Sequence, residues 1–199
     1  MTPEILAALA GFAFVTSVTP GPNNVMLLAS GLNFGFRRTV PHMLGIALGH
    51  ALMVALVGLG LAAALLGWAA GRRVLQAGAV AYVLWLAWRI ATAAPPDAAG
   101  QGARGRPFNF VQAAAFQWVN PKAWMMALGA VALYAPGGEV AAVLAVAGVF
   151  AAINLPSVAV WAAAGVGLRR LLGRPRLIRA INVGMAVLLV AAMLPALLV

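Results

Sequence analysis

The stretch FAFVTSVTPGPNNVMLLASG, Phe12–Gly31, decides the fold. It lies inside an apolar run of about 28 residues, from about 5 to 32, long enough to cross a bilayer core as a helix. Yet its middle holds Pro20, Gly21 and Pro22, followed by Asn23 and Asn24. Two prolines remove two backbone donors, and their rings obstruct the preceding turns. Gly21 is expected to supply conformational freedom at the break. The helix should therefore stop here and leave carbonyls without helical partners. In hydrocarbon each unmet group costs several kcal/mol, so the break must face protein or a watery cavity. Pro20 lies about 15 residues into the run, roughly 22 Å of rise, within the core. Asn23 and Asn24 stand where side-chain amides cap a helix that restarts.

Composition places this run in a membrane. Of 199 residues, 64% are hydrophobic and 8% charged, with a mean hydropathy of +1.00. A soluble domain carries roughly 25% charged residues. Apolar runs recur at about 5–32, 42–66, 73–92, 109–133, 141–167 and 178–198, which predicts an all-α integral membrane protein with six transmembrane helices. No alternation of the barrel type is present. No Lys or Arg precedes the first run, and that run is long and Pro-interrupted, so a cleaved signal peptide is not expected. The chain has no cysteine, which excludes disulfides and thiolate metal sites. His42 and His50 lie eight apart without an acidic companion, so neither a metal nor a cofactor is expected. A membrane enzyme would need a nucleophile–base pair, a metal cluster or an intramembrane carboxylate. None is present, and an enzyme is not expected.

The net charge of +10 reflects topology rather than nucleic-acid binding. Arg37, Arg38, Arg89, Arg104, Arg106, Arg169, Arg170, Arg174, Arg176 and Arg179 fall on one side of the six spans. Only Arg72 and Arg73 fall on the other, and Lys122 lies within a span. The positive-inside rule puts the arginine-rich side in the cytoplasm and both termini outside. The polar connection Ala93–Pro107 divides the chain into 1–92, a linker 93–108 and 109–199, within a single transmembrane domain. Three spans per half is odd, so two similar halves would be inverted. A shift of about 100 residues sets Thr19–Gly31 against Asn120–Ala132 and Thr19-Pro20 against Asn120-Pro121. This predicts a 3+3 inverted repeat with helices 1 and 4 broken, the pattern of transporters whose discontinuous helices build a midplane site. The plainer alternative is two unrelated Pro kinks.

TPGPNN in span 1, GLNFGFRRTVPHMLGIALGH leading into span 2 and FQWVNPKAW in span 4 resemble the LysE/RhtB family of small amino-acid exporters. The resemblance covers essentially the whole chain. It implies export of amino acids or close relatives across the bacterial inner membrane, and it is compatible with a homodimer. Lysine or arginine exporters would be expected to offer a negative charge to the second cation. Here the only acids are Glu4, Asp97 and Glu139, all outside the spans. Neutral or zwitterionic amino acids are therefore expected.

Asn120-Pro121-Lys122 is the second break, about 16 Å into its span. An ionisable residue at that depth is a functional candidate by default. Lys122, with the positive end of the helix starting at Pro121, can hold a substrate carboxylate; alternatively it caps carbonyls freed in span 1. Gln117, Trp118 and Trp124 flank the break and can surround an amino group, although packing is the plainer role of the two tryptophans. Asn154 and Pro156 mark a milder break in span 5, where Asn154 can satisfy the carbonyl that Pro156 frees. His50 is a candidate proton carrier, and His42 is expected at the interface. Gly31, Gly35, Gly45 and Gly49 have the spacing of close helix packing, while Trp68, Trp85 and Trp88 suit the interfacial belt. The leading expectation is an ion-coupled secondary exporter working by alternating access, with a proton or another ion as partner. A non-transporting membrane assembly partner and a channel-like permease are the alternatives.

Overall fold

The computed structural model describes residues 1–61, 77, 80–81, 84–92, 106–168 and 175–197, and no strand occurs among them. Expectations placed on Trp68, Arg72, Arg73, Asp97, Arg104, Arg169, Arg170 and Arg174, on part of the span 73–92 and on most of the linker 93–108 lie outside the described residues.

Helix α1, Pro3–Val18, starts where the Thr2 hydroxyl accepts from the Ile5 amide at 3.4 Å. It stops because Thr19 precedes a proline and takes an extended conformation, φ −62° and ψ 145°. Helix α2, Pro22–Phe34, restarts with proline at its first position, where the missing N–H is no loss. The two axes bend by 57° across the break. A single residue, Gly35, joins α2 to α3, Phe36–Leu56. Its φ of 82° favours glycine, so Gly35 serves the turn rather than helix packing. Helix α3 thus begins six residues before the expected 42, carries Arg37 and Arg38 in its first turn and runs through Pro41. A wider helical turn, Val57–Leu61, extends α3.

Residues 84–91 are helical. Helix α4, Phe110–Phe116, opens with a reciprocal capping box between Asn109 and Gln112. It tightens into the turn Gln117–Val119, and Asn120 is extended ahead of Pro121. Helix α5, Pro121–Tyr134, follows, then α6, Val140–Gly167, and α7, Pro175–Leu197. By length and composition, two helical spans among the described residues suffice to cross a membrane, Phe36–Leu61 and Val140–Gly167, and the bent pair α1–α2 makes a third.

Helix α6 is the central post and packs along α1, α2 and α3. Small residues set these approaches. A Cβ on Gly31 would run into the Ala162 carbonyl, and one on Gly165 into that of Leu28. Gly45 and Gly49 bring α3 onto the Phe110 carbonyl and the Ala114 backbone in the same way. Leu9, Ala13, Met53, Ala127, Val143 and Phe150 fill the space between α1, α3, α5 and α6. A second cluster, which includes Leu32, Phe116, Ile178 and Leu189, joins α2, α4 and α7.

Candidate functional site

The break between α1 and α2 is a bookkeeping problem in backbone hydrogen bonds, and each freed carbonyl is met. Thr16 O accepts from the Thr19 hydroxyl at 3.1 Å. Ser17 O and Thr19 O accept from Asn24 Nδ2 at 2.9 and 2.7 Å. Val18 O accepts from Trp161 Nε1 of α6 at 3.0 Å. Lys122 Nζ donates to Thr19 O at 2.6 Å, to Thr19 Oγ1 at 3.0 Å and to Pro20 O at 3.4 Å. An unmet carbonyl in apolar surroundings is costly, so these donors stabilise the break.

The sequence placed Asn23 and Asn24 as caps of α2. Instead Gly21 is the cap residue and no side chain bonds there. Asn24 reaches back to α1, and Asn23 reaches across to the second break. Asn23 Nδ2 donates to Gln117 Oε1 at 2.9 Å, and Gln117 Nε2 returns a bond to Asn23 Oδ1 at 3.2 Å. Gln117 is anchored by a second bond from Nε2 to Ala113 O at 2.9 Å. The role of Gly21 also differs from expectation. Its φ of −177° is extended backbone open to any residue, but a Cβ there would lie 2.6 Å from Lys122 Cδ. Gly21 makes room for the lysine.

At the second break the Asn120 side chain caps α5 by accepting from the Lys122 amide at 3.1 Å. Trp124 Nε1 donates to Trp118 O at 2.9 Å, and the two indoles meet edge to face with centroids 5.9 Å apart. Both pack against the cluster around Phe150. Helix α6 continues through Pro156, and Asn154 does not turn back to its own helix: its Nδ2 donates to Ser17 Oγ at 3.2 Å.

These groups enclose a cavity of about 20 Å³. Gly21, Asn23, Asn24, His50, Gln117, Asn120, Lys122 and Asn154 line it, so eight of the sequence candidates converge. Pro20, Pro22 and Pro121 shape the breaks without lining the cavity, and Trp118, Trp124 and Pro156 also stand outside it. His50 is buried edge to face against Phe150, 5.1 Å between centroids. Both its nitrogens, and Asn154 Oδ1, have no hydrogen-bond partner among the described residues. His42, expected at an interface, is instead buried against Phe108. Ser17 and Trp161 were not singled out in the sequence, although both serve this site. Single polar or aromatic residues in apolar helices give no local sign that they point at a distant break. Among the described residues no group of three His, Cys, Asp or Glu could hold a metal ion.

An all-α fold, helices suited to a bilayer and two broken helices tied together at a polar cluster define a membrane protein built around paired helix breaks. The chain belongs to the LysE type translocator family, whose model matches residues 14–195. That family comprises translocators, a transport class rather than an enzyme class. Similar curated proteins are the cysteine/O-acetylserine efflux proteins of Escherichia coli (strain K12) and Shigella sonnei (strain Ss046). Each is 37% identical over 123 residues, which is 61% of this chain and 61% of the relative. The chain thus covers about three-fifths of the length of these relatives. No solved structure matches the chain significantly.

Proposed function

We propose that the protein exports neutral or zwitterionic amino acids from the cytoplasm as a secondary transporter working by alternating access. The observation that carries this reading is the docking of Lys122 on the carbonyls of Thr19 and Pro20, where the two breaks meet. A zwitterion is the electrostatic complement of that pair. Its carboxylate takes the Lys122 ammonium, and its ammonium takes the carbonyls that the lysine gives up. The exchange replaces one set of charge-assisted bonds with another, so no carbonyl is stranded. A cavity of about 20 Å³ holds about one water. An amino acid needs more room, so this conformation is closed, and binding requires the two breaks to part at the Asn23–Gln117 amide pair.

The reading extends to the whole chain. Six spans form a 3+3 inverted repeat, 1–92 and 109–199 with the linker 93–108, and one half rocks against the other. The arginine-rich side faces the cytoplasm of a bacterial inner membrane and both termini face outward. Transport is coupled to an ion gradient, with His50 as the proton carrier if the ion is a proton. A homodimer is the proposed assembly. The efflux of cysteine and O-acetylserine named for the relatives supports a substrate with no second fixed cation.

The test is efflux from cells loaded with labelled dipeptides, read against a panel of amino acids with and without an imposed proton gradient. Neutral amino acids are expected to leave, and Lys122→Ala is expected to insert normally and lose efflux. Selective lysine export would overturn the substrate class. Intact efflux from Lys122→Ala would reduce the lysine to a carbonyl cap.

A further inference from the structure

A larger cavity lies away from the central cluster. It encloses about 300 Å³ between α2, α3, the helical stretch 84–91 and residues 106–108. That is the lower end of the range of small-molecule sites, about 300–1,000 Å³, and suits a small amino acid.

Two of its lining side chains are buried with unmet bonding capacity. His42 and Asn33 are each 2% exposed. Neither nitrogen of His42 has a hydrogen-bond partner among the described residues, and neither does Asn33 Oδ1. Asn33 Nδ2 donates to Ala29 O at 2.8 Å, which fixes the amide while its oxygen stays unpaired. Phe108 holds the His42 ring, centroids 5.2 Å apart. Buried polar groups are rarely left this way, because each costs the full desolvation penalty of the group. Arg89 and Arg106 complete the wall, and no carboxylate lies among the described lining residues. The set therefore offers two fixed cations, one amide oxygen and an imidazole that can accept or donate.

The two polar stations share two helices. Asn24 on α2 and His50 on α3 line the central cavity, whereas Asn33 on α2 and His42 on α3 line the larger one. Nine and eight residues separate them, roughly 12–14 Å of helical rise. Buried Leu27, Met43 and Ile46 form an apolar cluster on the intervening turns.

We infer that the larger cavity is a second substrate site, an inlet on the arginine-rich side that receives the amino acid before it reaches the central cluster. Arg89 and Arg106 take the carboxylate, and Asn33 Oδ1 and the His42 imidazole take the ammonium. The Leu27–Met43–Ile46 layer keeps the two stations apart in this closed conformation. The inference rests on the export reading above.

The experiment uses the full chain in inverted vesicles, where the arginine-rich side faces the bath, with radiolabelled cysteine and O-acetylserine as probes. Arg89→Gln/Arg106→Gln and His42→Phe should each raise the half-saturating concentration about tenfold or more while the maximal rate is retained. Lys122→Ala should instead abolish the maximal rate. Should His42→Phe fail to fold, the arginine pair, both exposed, decides alone. Unchanged half-saturation in the arginine variant overturns the inlet while leaving export intact. Loss of co-purified anionic lipid with unchanged half-saturation assigns the cavity to a lipid headgroup and also overturns it. If the wild-type chain moves neither probe nor any other amino acid, the export reading fails, and the inlet fails with it.

Discussion

At the scale of single residues, the site is governed by pairing rather than by any one group. Asn23 and Gln117 exchange two bonds across 94 positions of sequence. Removing Asn23 strands the fully buried Gln117, and removing Gln117 strands the half-buried Asn23, whereas replacing both with apolar groups removes the demand. Asn23→Leu, which strands the buried Gln117, should cost about 1–3 kcal/mol, and Gln117→Leu, which strands the half-buried Asn23, should cost less. The double substitution Asn23→Leu/Gln117→Leu should cost clearly less than the sum of the two singles. Thermal unfolding in detergent across the cycle checks this. At this scale the sequence exposed the residue types but not their partners. An asparagine beside a proline announces a cap, and which carbonyl it finds depends on a 57° bend that no local pattern prints. Gly21 shows the same limit, since the space it leaves is shaped by a lysine about 100 positions away.

At the scale of elements, helix approach depends on where a Cβ is missing. Gly165 and Gly31 let α6 and α2 meet backbone to backbone, while Gly148 on the same α6 has open space around it. Gly165→Ala should destabilise the protein by about 1–3 kcal/mol through overpacking. Gly148→Ala should be neutral or gain up to about 1 kcal/mol from helix propensity. Melting temperatures of the two variants, measured side by side, separate packing from propensity. The spacing of Gly31, Gly45 and Gly49 was legible as packing in advance. Gly35 belongs to the same pattern but serves the turn, because period alone does not distinguish a helix crossing from a helix end. Both helix breaks were legible too, since Pro after a polar residue acts on its own backbone. The start of α3 at Phe36 was not, because it depends on the turn at Gly35, whose positive φ no spacing announces.

At the scale of the whole molecule, transport by the proposed mechanism requires the two breaks to separate. Cysteines introduced at Asn23 and Gln117 would be the only ones in the chain. A cleavable bifunctional thiol reagent joining them should abolish efflux, and cleavage by reductant should restore it. Efflux that persists in the joined protein would show that the breaks need not part. The membrane class followed from composition alone, whereas the convergence of α1, α2, α3, α5 and α6 on one polar cluster required the folded chain. The manner in which the first break is satisfied also bears on how the protein is made. Val18 O relies on a side chain 143 positions later, and Pro20 O on one 102 positions later. While a ribosome is still working on the second half, those carbonyls have no partner of their own. The amino-terminal half must wait, sheltered by water, lipid headgroups or the insertion machinery, until its partners emerge. Biogenesis is therefore a joint act of both halves, and the first is left incomplete when synthesised alone.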